Sequence, residues 1–208
     1  MKSVAKKISL LVVGLGLVVA VAAAGFLAAM RQHFHPPAPQ IHFPPAAGAL
    51  DAQRQDIRYF RRLIALDRSF APSDRTEADR RLDALEALGT VLDRAHFRAA
   101  LMQIDALTDN GHSRVENEPG AAPLELPVRV ASFSDGIYVM RATEIHADLL
   151  GCRVTAIDGQ SIDAVMAKLA RLRGGTPQWR RLHASQSLVL QDLLYGMDPV
   201  LMPPPSAR

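Results

Sequence analysis

A long apolar run near the N-terminus constrains this chain more than any other feature of its sequence. The run from Ile8 to Met30 spans 23 residues, and Ser9 is its only polar side chain. As a helix it would be about 34 Å long, which is enough to cross a hydrocarbon core of roughly 30 Å. Residues 1–30 are therefore predicted to be a signal-anchor or transmembrane segment.

The charges around this run predict its orientation. Lys2, Lys6 and Lys7 precede it, and the first acidic residue is Asp51. Since basic flanks stay on the cytoplasmic side, we expect a single pass with the N-terminus in the cytoplasm and the body outside. A small-x-small pattern at residues 20–22 also fits a cleaved signal peptide, which would make the body a secreted protein. An uncleaved anchor is favoured, because the apolar run continues well beyond that pattern.

The rest of the chain is electrically balanced. The sequence has 24 Lys and Arg against 21 Asp and Glu, and three of the lysines lie in the first seven residues, which leaves 21 against 21. No basic face remains to attract nucleic acid, so no nucleic-acid partner is predicted. Cys152 is the only cysteine, which excludes an internal disulfide. We expect it to be buried as a small apolar side chain.

Residues 31–50 are predicted to be a proline-rich linker. They contain five prolines, each of which removes a backbone donor and favours extended chain. They also hold His33, His35 and His42, and clustered histidines can bind metal. No cysteine or carboxylate joins the three histidines in this stretch. A polar tether is therefore favoured, no metal site is predicted, and a metal-dependent enzyme is kept only as a remote alternative.

Residues 51–112 are predicted to be a helical segment of three helices. In each helix the apolar residues recur every three or four positions and so share one face. Asp93 is the predicted N-cap of the third helix, and Asn110-Gly111 is expected to supply the left-handed residue that ends it. The arginines between the apolar positions are expected to form solvated faces. The apolar sets are Ile57, Phe60 and Ile64; Leu82, Leu85, Leu88 and Leu92; and Phe97, Leu101, Ile104 and Leu107.

Residues 113–198 change to a pattern of short strands and turns, followed by helices. Asp135-Gly136 and Asp158-Gly159 mark tight turns between strands. Residues 199–208 contain three consecutive prolines and are predicted to be a disordered tail. The predicted elements are strands at 124–130, 137–140 and 153–157, a helix at 163–172, and a last helix from Thr176 onward with Trp179, Leu182, Val189 and Leu193 facing inward.

Several ordered segments of this chain resemble a known family. They are Thr108-Asp109-Asn110-Gly111-His112-Ser113, Asp135-Gly136-Ile137-Tyr138-Val139, Leu149-Leu150-Gly151 with Ile157-Asp158-Gly159, and Gly174-Gly175-Thr176 with Trp179-Arg180-Arg181. Their order is similar to the N-terminal half of bacterial C-terminal-processing, or tail-specific, serine peptidases, over about residues 51–196. The resemblance implies an α+β fold in which a helical segment precedes a small PDZ-like module.

The resemblance implies no catalytic residue in this chain. Family members continue into an α/β domain that carries the nucleophilic serine and a lysine base, and this chain is expected to lack that domain. After Lys7 the only lysine is Lys168, which lies on a predicted helix and is expected at the surface. His112, between Gly111 and Ser113, is expected to bond at a junction of helices and sheet rather than to catalyse. No cofactor is predicted, and an enzymatic role is left open.

Peptide binding is the activity that such a module would retain. PDZ-like modules add an extended peptide to a sheet edge, and Gly136, Ile137, Tyr138 and Val139 are the nearest match to a binding loop and strand. The predicted function is a membrane-tethered, non-catalytic N-terminal portion of a tail-specific-peptidase-like protein, with the module used for peptide binding or domain packing. The alternative is a stand-alone PDZ-like binding or scaffold protein of the envelope.

The predicted partners follow from the same resemblance. They are the membrane, protein C-termini or unfolded peptides, and a separately encoded peptidase domain. The resemblance places the body in the periplasm, with the tether in a bacterial inner membrane.

Overall fold

The N-terminal unit of the chain is built on one long apolar helix. A computed structural model describes residues 2–34, 37–116 and 123–197, and the chain divides into two compact units, residues 1–42 and 43–208. Helix α1 (Lys2–Phe34) contains a 22-residue stretch, Val13–Phe34, with a mean hydropathy of 2.4 and 0% of its residues buried. This helix is long and apolar enough to cross a membrane or to act as a signal sequence.

Three helices open the second unit, as predicted. They are α2 (Ala49–Leu66), α3 (Pro72–Glu86) and α4 (Arg94–Asp105). Pro72 begins α3 at a position where its missing amide costs nothing. Asp93 is the N-cap of α4, because its Oδ1 accepts a hydrogen bond of 3.0 Å from the amide of His96.

The end of α4 differs from the expectation. A short 3-10 turn (Ala106–Thr108) follows the helix, and Asp109 rather than Gly111 takes the left-handed conformation, with a φ of 55°. A short polar side chain tolerates this conformation, so the turn closes before the glycine is reached. Gly111 is needed for a different reason, since a Cβ there would lie 2.7 Å from Nε1 of Trp179.

The strands form two small antiparallel sheets. Strands β1 (Val128–Ser132), β2 (Ile137–Ala142) and β3 (Arg153–Val154) lie in the order β1-β2-β3. Strands β4 (Ala156–Ile157) and β5 (Gln160–Ser161) form a separate hairpin. The strand predicted at 153–157 is therefore broken at Thr155, and its halves join different sheets. The predicted mixture of helix and sheet is confirmed, while the finer PDZ-like description stays a prediction.

The helices after the hairpin are shorter than expected. Helix α5 (Ile162–Leu169) continues as a 3-10 turn (Ala170–Leu172), and the predicted last helix is two helices, α6 (Pro177–Ser187) and α7 (Gln191–Gly196). Val189 and Leu193 are buried as predicted, but Trp179 and Leu182 are 39% and 47% exposed. The prediction for these two residues was wrong, because α6 buries the small residues Ala184 and Ser185 instead.

Two hydrophobic cores share helix α4. Ala100, Leu101 and Ile104 pack into a core formed with α2 and α3, whereas Ala99 and Met102 pack into a core formed with β2, α5, α6 and α7. An ion pair of 2.8 Å between Arg98 and Asp192 also joins α4 to α7. The helical segment and the sheet module therefore pack as one unit around α4. The predicted tail at 199–208 lies outside the described residues.

Candidate peptide-binding site

The four residues predicted to bind peptide lie at the start of β2. Gly136 is in the turn from β1, where its carbonyl oxygen accepts a hydrogen bond of 2.7 Å from the amide of Phe133. The side chains of Ile137 and Val139 point into the core. Tyr138 lies on the opposite face, and its hydroxyl donates to Oδ2 of Asp135 at 2.9 Å. This hydrogen bond raises the pKa of the Tyr138 hydroxyl.

Both edges of β2 are paired at these residues. Ile137 pairs with Ser132 of β1 and with Val154 of β3. The amide of Val139 donates to the carbonyl oxygen of Cys152 at 3.0 Å. Strand addition needs an unpaired edge, so a peptide would have to displace β1 or β3 to add here. Binding at these residues stays a prediction, and strand addition would have to use another edge.

The chain itself forms an isolated antiparallel bridge just before β1, between Glu125 and Leu190. The amide of Leu126 donates to the carbonyl oxygen of Val189 at 2.7 Å. The amide of Gln191 donates to the carbonyl oxygen of Leu124 at 2.9 Å. Residues 189–191 thus pair antiparallel with 124–126, immediately before β1 begins. This pairing was missed because an apolar run such as Leu188-Val189-Leu190 fits a helix as well as a strand.

A groove beside α5 is a candidate place for an extended chain. Its volume is about 650 Å³, and α5 and α6 form its two walls. Apolar side chains with a few convergent charged groups are typical of ligand-binding surfaces. The lining residues are Asp163, Met166, Ala167 and Ala170 from α5, Pro177, Arg180 and Arg181 from α6, and Asp109 and Gly175 from the preceding turns.

One end of this groove is built by the turn at Asp109. Its carboxylate oxygen Oδ1 accepts hydrogen bonds from the amide of Gly175, at 3.2 Å, and from the guanidinium of Arg180. Nε1 of Trp179 donates to the carbonyl oxygen of Gly111 at 3.1 Å. A Cβ at Gly174 would lie 2.7 Å from the amide nitrogen of Asn110, so only glycine lets the two backbones approach this closely.

His112 lies at this junction but is exposed, and its amide bonds to Oδ1 of Asn110 at 3.0 Å. The hydroxyl of Ser113 donates to Asp67 at 3.4 Å, while the carboxylate of Asp109 faces Gly175. These neighbours in sequence therefore engage different partners through the hydrogen bonds described, and the expectation that His112 is not catalytic stays a prediction.

Lys168 and Cys152 complete the predicted candidates. Nζ of Lys168 donates to Oε1 of Gln160 at 2.5 Å in an exposed hydrogen bond, as expected for a surface lysine. Cys152 is exposed rather than buried, so that expectation was wrong. Its backbone carbonyl completes the pairing with Val139, and its thiol points away from the core towards the carbonyl oxygen of Asp148, at 3.6 Å.

Within the described ranges, no three His, Cys, Asp or Glu side chains gather as metal ligands. The ring of His33 lies edge-on to Phe34, with ring centroids 5.0 Å apart. His35 lies outside the described residues, so the predicted linker cluster is only partly described.

No protein-family model, no curated protein and no solved structure matches this chain. The similarity to tail-specific peptidases therefore stays an expectation from the sequence.

Proposed function

We propose that this chain is the membrane-tethered, non-catalytic N-terminal portion of a tail-specific serine peptidase-like protein. In this proposal α1 anchors the body in the periplasm at the inner membrane. The groove beside α5 holds extended peptides or unfolded chain ends. The sheet module carries the groove and is packed firmly onto the helical segment.

The observation that carries this proposal is the junction around Asp109. Two segments that carry the family resemblance, 108–113 and 174–181, are far apart in sequence but meet here. The hydrogen bond from Gly175 to Asp109 joins residues 66 positions apart, and the one from Trp179 to Gly111 joins residues 68 apart. The two motifs thus form one structural element, which supports treating them as parts of a single family pattern.

The groove chemistry supports peptide binding. Met166, Ala167 and Ala170 provide an apolar wall for side chains of an extended peptide. Arg181 lies on the opposite wall and also contacts the sheet, since its Nε donates to Oγ of Ser132 at 3.2 Å. A peptide in this groove would therefore be bound through side chains and charge, with the backbone edge of β2 left paired.

A stand-alone envelope scaffold is the second candidate, and one observation favours it. Residues 189–191 occupy the edge beside 124–126, and β2 is paired on both sides at Ile137 and Tyr138. A strand such as β2, which is already paired on both sides, is suited to domain packing rather than to strand addition. In that case the groove would play no part in peptide capture.

A titration of the full chain in lipid nanodiscs tests the proposal. Labelled peptides should bind at up to about millimolar concentration and remain intact by mass spectrometry. Ala167→Arg places a bulky charge in the groove and should weaken binding about tenfold. Ala164→Arg changes another exposed alanine of α5 that does not line the groove and is the matched control.

Three results would contradict this proposal. Serine-dependent cleavage of the peptides by the purified chain would show that it is catalytic. Equal binding by both alanine variants would remove the groove as the site. Absence of peptide binding would favour the scaffold.

A further inference from the structure

A second cavity lies where α4, α6 and α7 meet. Its volume is about 540 Å³, and it is separate in its lining from the groove beside α5. The half-buried Val115 and Leu190 provide apolar wall, and Arg98, Arg173, His183 and Glu116 provide its charged and polar groups. The cavity thus joins cationic groups to an aliphatic surface at the boundary of the two halves of the body.

Two nitrogen atoms in the wall are buried without a hydrogen-bond partner. They are Nε of Arg98 and Nε2 of His183, and neither has a partner among the described residues. Buried polar atoms in folded proteins are nearly always paired, so such exceptions require an explanation. Both belong to residues that line the same cavity, and Oδ1 of Asp192, whose other oxygen pairs with Arg98, is also buried without a hydrogen-bond partner among the described residues. The polar groups behind this wall are therefore incompletely satisfied.

The charges at the cavity leave one cation without a carboxylate. Arg98 is paired with Asp192 at 2.8 Å, and Glu116 is paired with Arg114 at 2.5 Å. Arg173 forms no such ion pair within the described part of the chain, and its Nη1 donates to the carbonyl oxygen of Ser113 at 3.3 Å.

Repulsion between like charges adds to this imbalance. Burial, and then the charge of Arg114, lower the pKa of the Arg173 guanidinium, with Asp105 and Glu116 opposing them. Burial, followed by the charges of Arg173 and Arg114, lowers the pKa of His183. An anion bound in the cavity would relieve this repulsion.

We propose that this cavity binds the carboxylate of an aliphatic acid, with Arg173 as the principal cation. A guanidinium matches the two oxygens of a carboxylate in geometry as well as charge. Arg98 and His183 lie in the same wall and would add to the polar surroundings of this group, and the half-buried Val115 and Leu190 would contact its aliphatic chain. The acid is either a small free acid or the end of a polypeptide, since both present the same chemistry.

The single tryptophan supplies a direct readout. The ring of Trp179 lies edge-on to that of His183, with centroids 4.4 Å apart. Isovalerate is the first probe, and isovaleramide is its uncharged control of the same shape. A hexapeptide ending in valine, with a free or an amidated C-terminus, distinguishes the second source of the carboxylate. All titrations use the full chain in nanodiscs.

Isovalerate should change the Trp179 fluorescence saturably, and isovaleramide should bind at least about tenfold more weakly. Arg173→Gln should weaken isovalerate binding about tenfold. His183→Gln, whose side chain keeps an amide donor, should weaken it less and serves if the arginine variant does not fold. Arg171→Gln, an exposed arginine two residues away that does not line the cavity, should leave binding within twofold of the native chain.

The outcomes separate this inference from the peptide groove. Equal binding of the acid and the amide, or no effect of either cavity variant, would overturn the carboxylate site. Ala167→Arg in the groove should leave isovalerate binding unchanged, so failure of the groove proposal does not affect this one. If isovalerate binds and the free-acid peptide does not, the cavity is assigned to small acids. If the free-acid peptide binds tightly and its amide does not, the cavity is assigned to chain ends.

Discussion

Gly196 determines how closely α7 approaches α4. A Cβ at this position would overlap the backbone carbonyl of Ala95, which cannot move without shifting α4. Helix propensity alone would favour alanine by about 1 kcal/mol. The steric overlap opposes that gain, and forcing an extra methyl group into a packed interface costs about 1–3 kcal/mol or more.

We therefore expect Gly196→Ala to lower the free energy of unfolding by about 1–2 kcal/mol, measured by urea denaturation. Gly89→Ala is the matched control, because a Cβ there meets no atom within 4 Å. It should leave stability unchanged or slightly increased. An unchanged midpoint for Gly196→Ala would show that α7 does not pack on α4 at this residue.

Glu77 on α3 makes the folding stability of the chain sensitive to acid. A hydrogen bond from Arg80, acting against burial and supported by one from Arg81, lowers the pKa of Glu77 from 4.5 to about 2. A carboxylate whose pKa is lowered on folding stabilises the folded state at pH values above its unfolded-state pKa. This stability is lost as the pH falls from 4.5 to about 2.

The stability contributed by Glu77 should be about 1 kcal/mol after allowance for solvent screening. Chemical denaturation at a series of pH values should show Glu77→Gln less stable than the native chain at pH 7. The difference between the two chains should shrink as the pH falls from 4.5 to about 2. A constant difference across this range would contradict the proposed role of the charge.

At the scale of elements, α4 couples the two cores. Ile104 is fully buried in the core with α2 and α3, and Met102 is buried in the core with α6 and α7. Because both side chains project from one helix, loosening either core should destabilise both halves of the body.

Ile104→Ala and Met102→Ala should each lower the free energy of unfolding by about 2–5 kcal/mol. Both should shift a single thermal transition rather than split it, as measured by calorimetry and circular dichroism. Leu124→Ala is the control, since that side chain is 64% exposed, and it should change stability by less than about 0.5 kcal/mol. Two separated transitions in either core variant would show that the halves unfold independently.

At the scale of the whole molecule, the chain divides at residue 42 into a unit built on the apolar helix and a unit that contains the folded body. The unit at 43–208 contains both hydrophobic cores, and no residue of α1 whose side chain the structure describes belongs to either. A chain lacking residues 1–42 should therefore keep the thermal midpoint of the body. It should also lose co-flotation with lipid vesicles, which the full chain should retain through its apolar helix. Co-flotation of the shortened chain would show that the body binds the bilayer directly.

Local patterns were sufficient for much of this fold. The apolar run of α1, the three helices, the Asp93 N-cap and the Asp158-Gly159 turn were predicted because each depends on residues a few positions apart. At that turn both φ angles are positive, 47° and 75°, which is the backbone that an Asp-Gly pair favours.

Contacts between distant segments were not predictable in this way. Arg61 lies on a solvated face as expected, but the sequence did not reveal that it bonds Asp79 at 2.7 Å and Asp83 at 2.6 Å and so links α2 to α3. Trp179 was expected in the core and instead bonds Gly111, while Val189 pairs with Leu126. Each of these contacts depends on a partner that is distant in sequence and that the adjacent residues do not specify.

The candidate site was likewise predictable from the sequence only in part. Sequence patterns identified Gly136 to Val139, the Asp109 turn and the 174–181 stretch as notable, because their glycines and turn residues have local signatures. They did not reveal that β2 is paired on both sides, or that Arg98, Arg173 and His183 line one cavity. The apolar helix could be recognised from sequence because its burial preference is a property of the run itself. Strand pairing and the cavity are set by which surfaces meet when α4 is packed between the two cores.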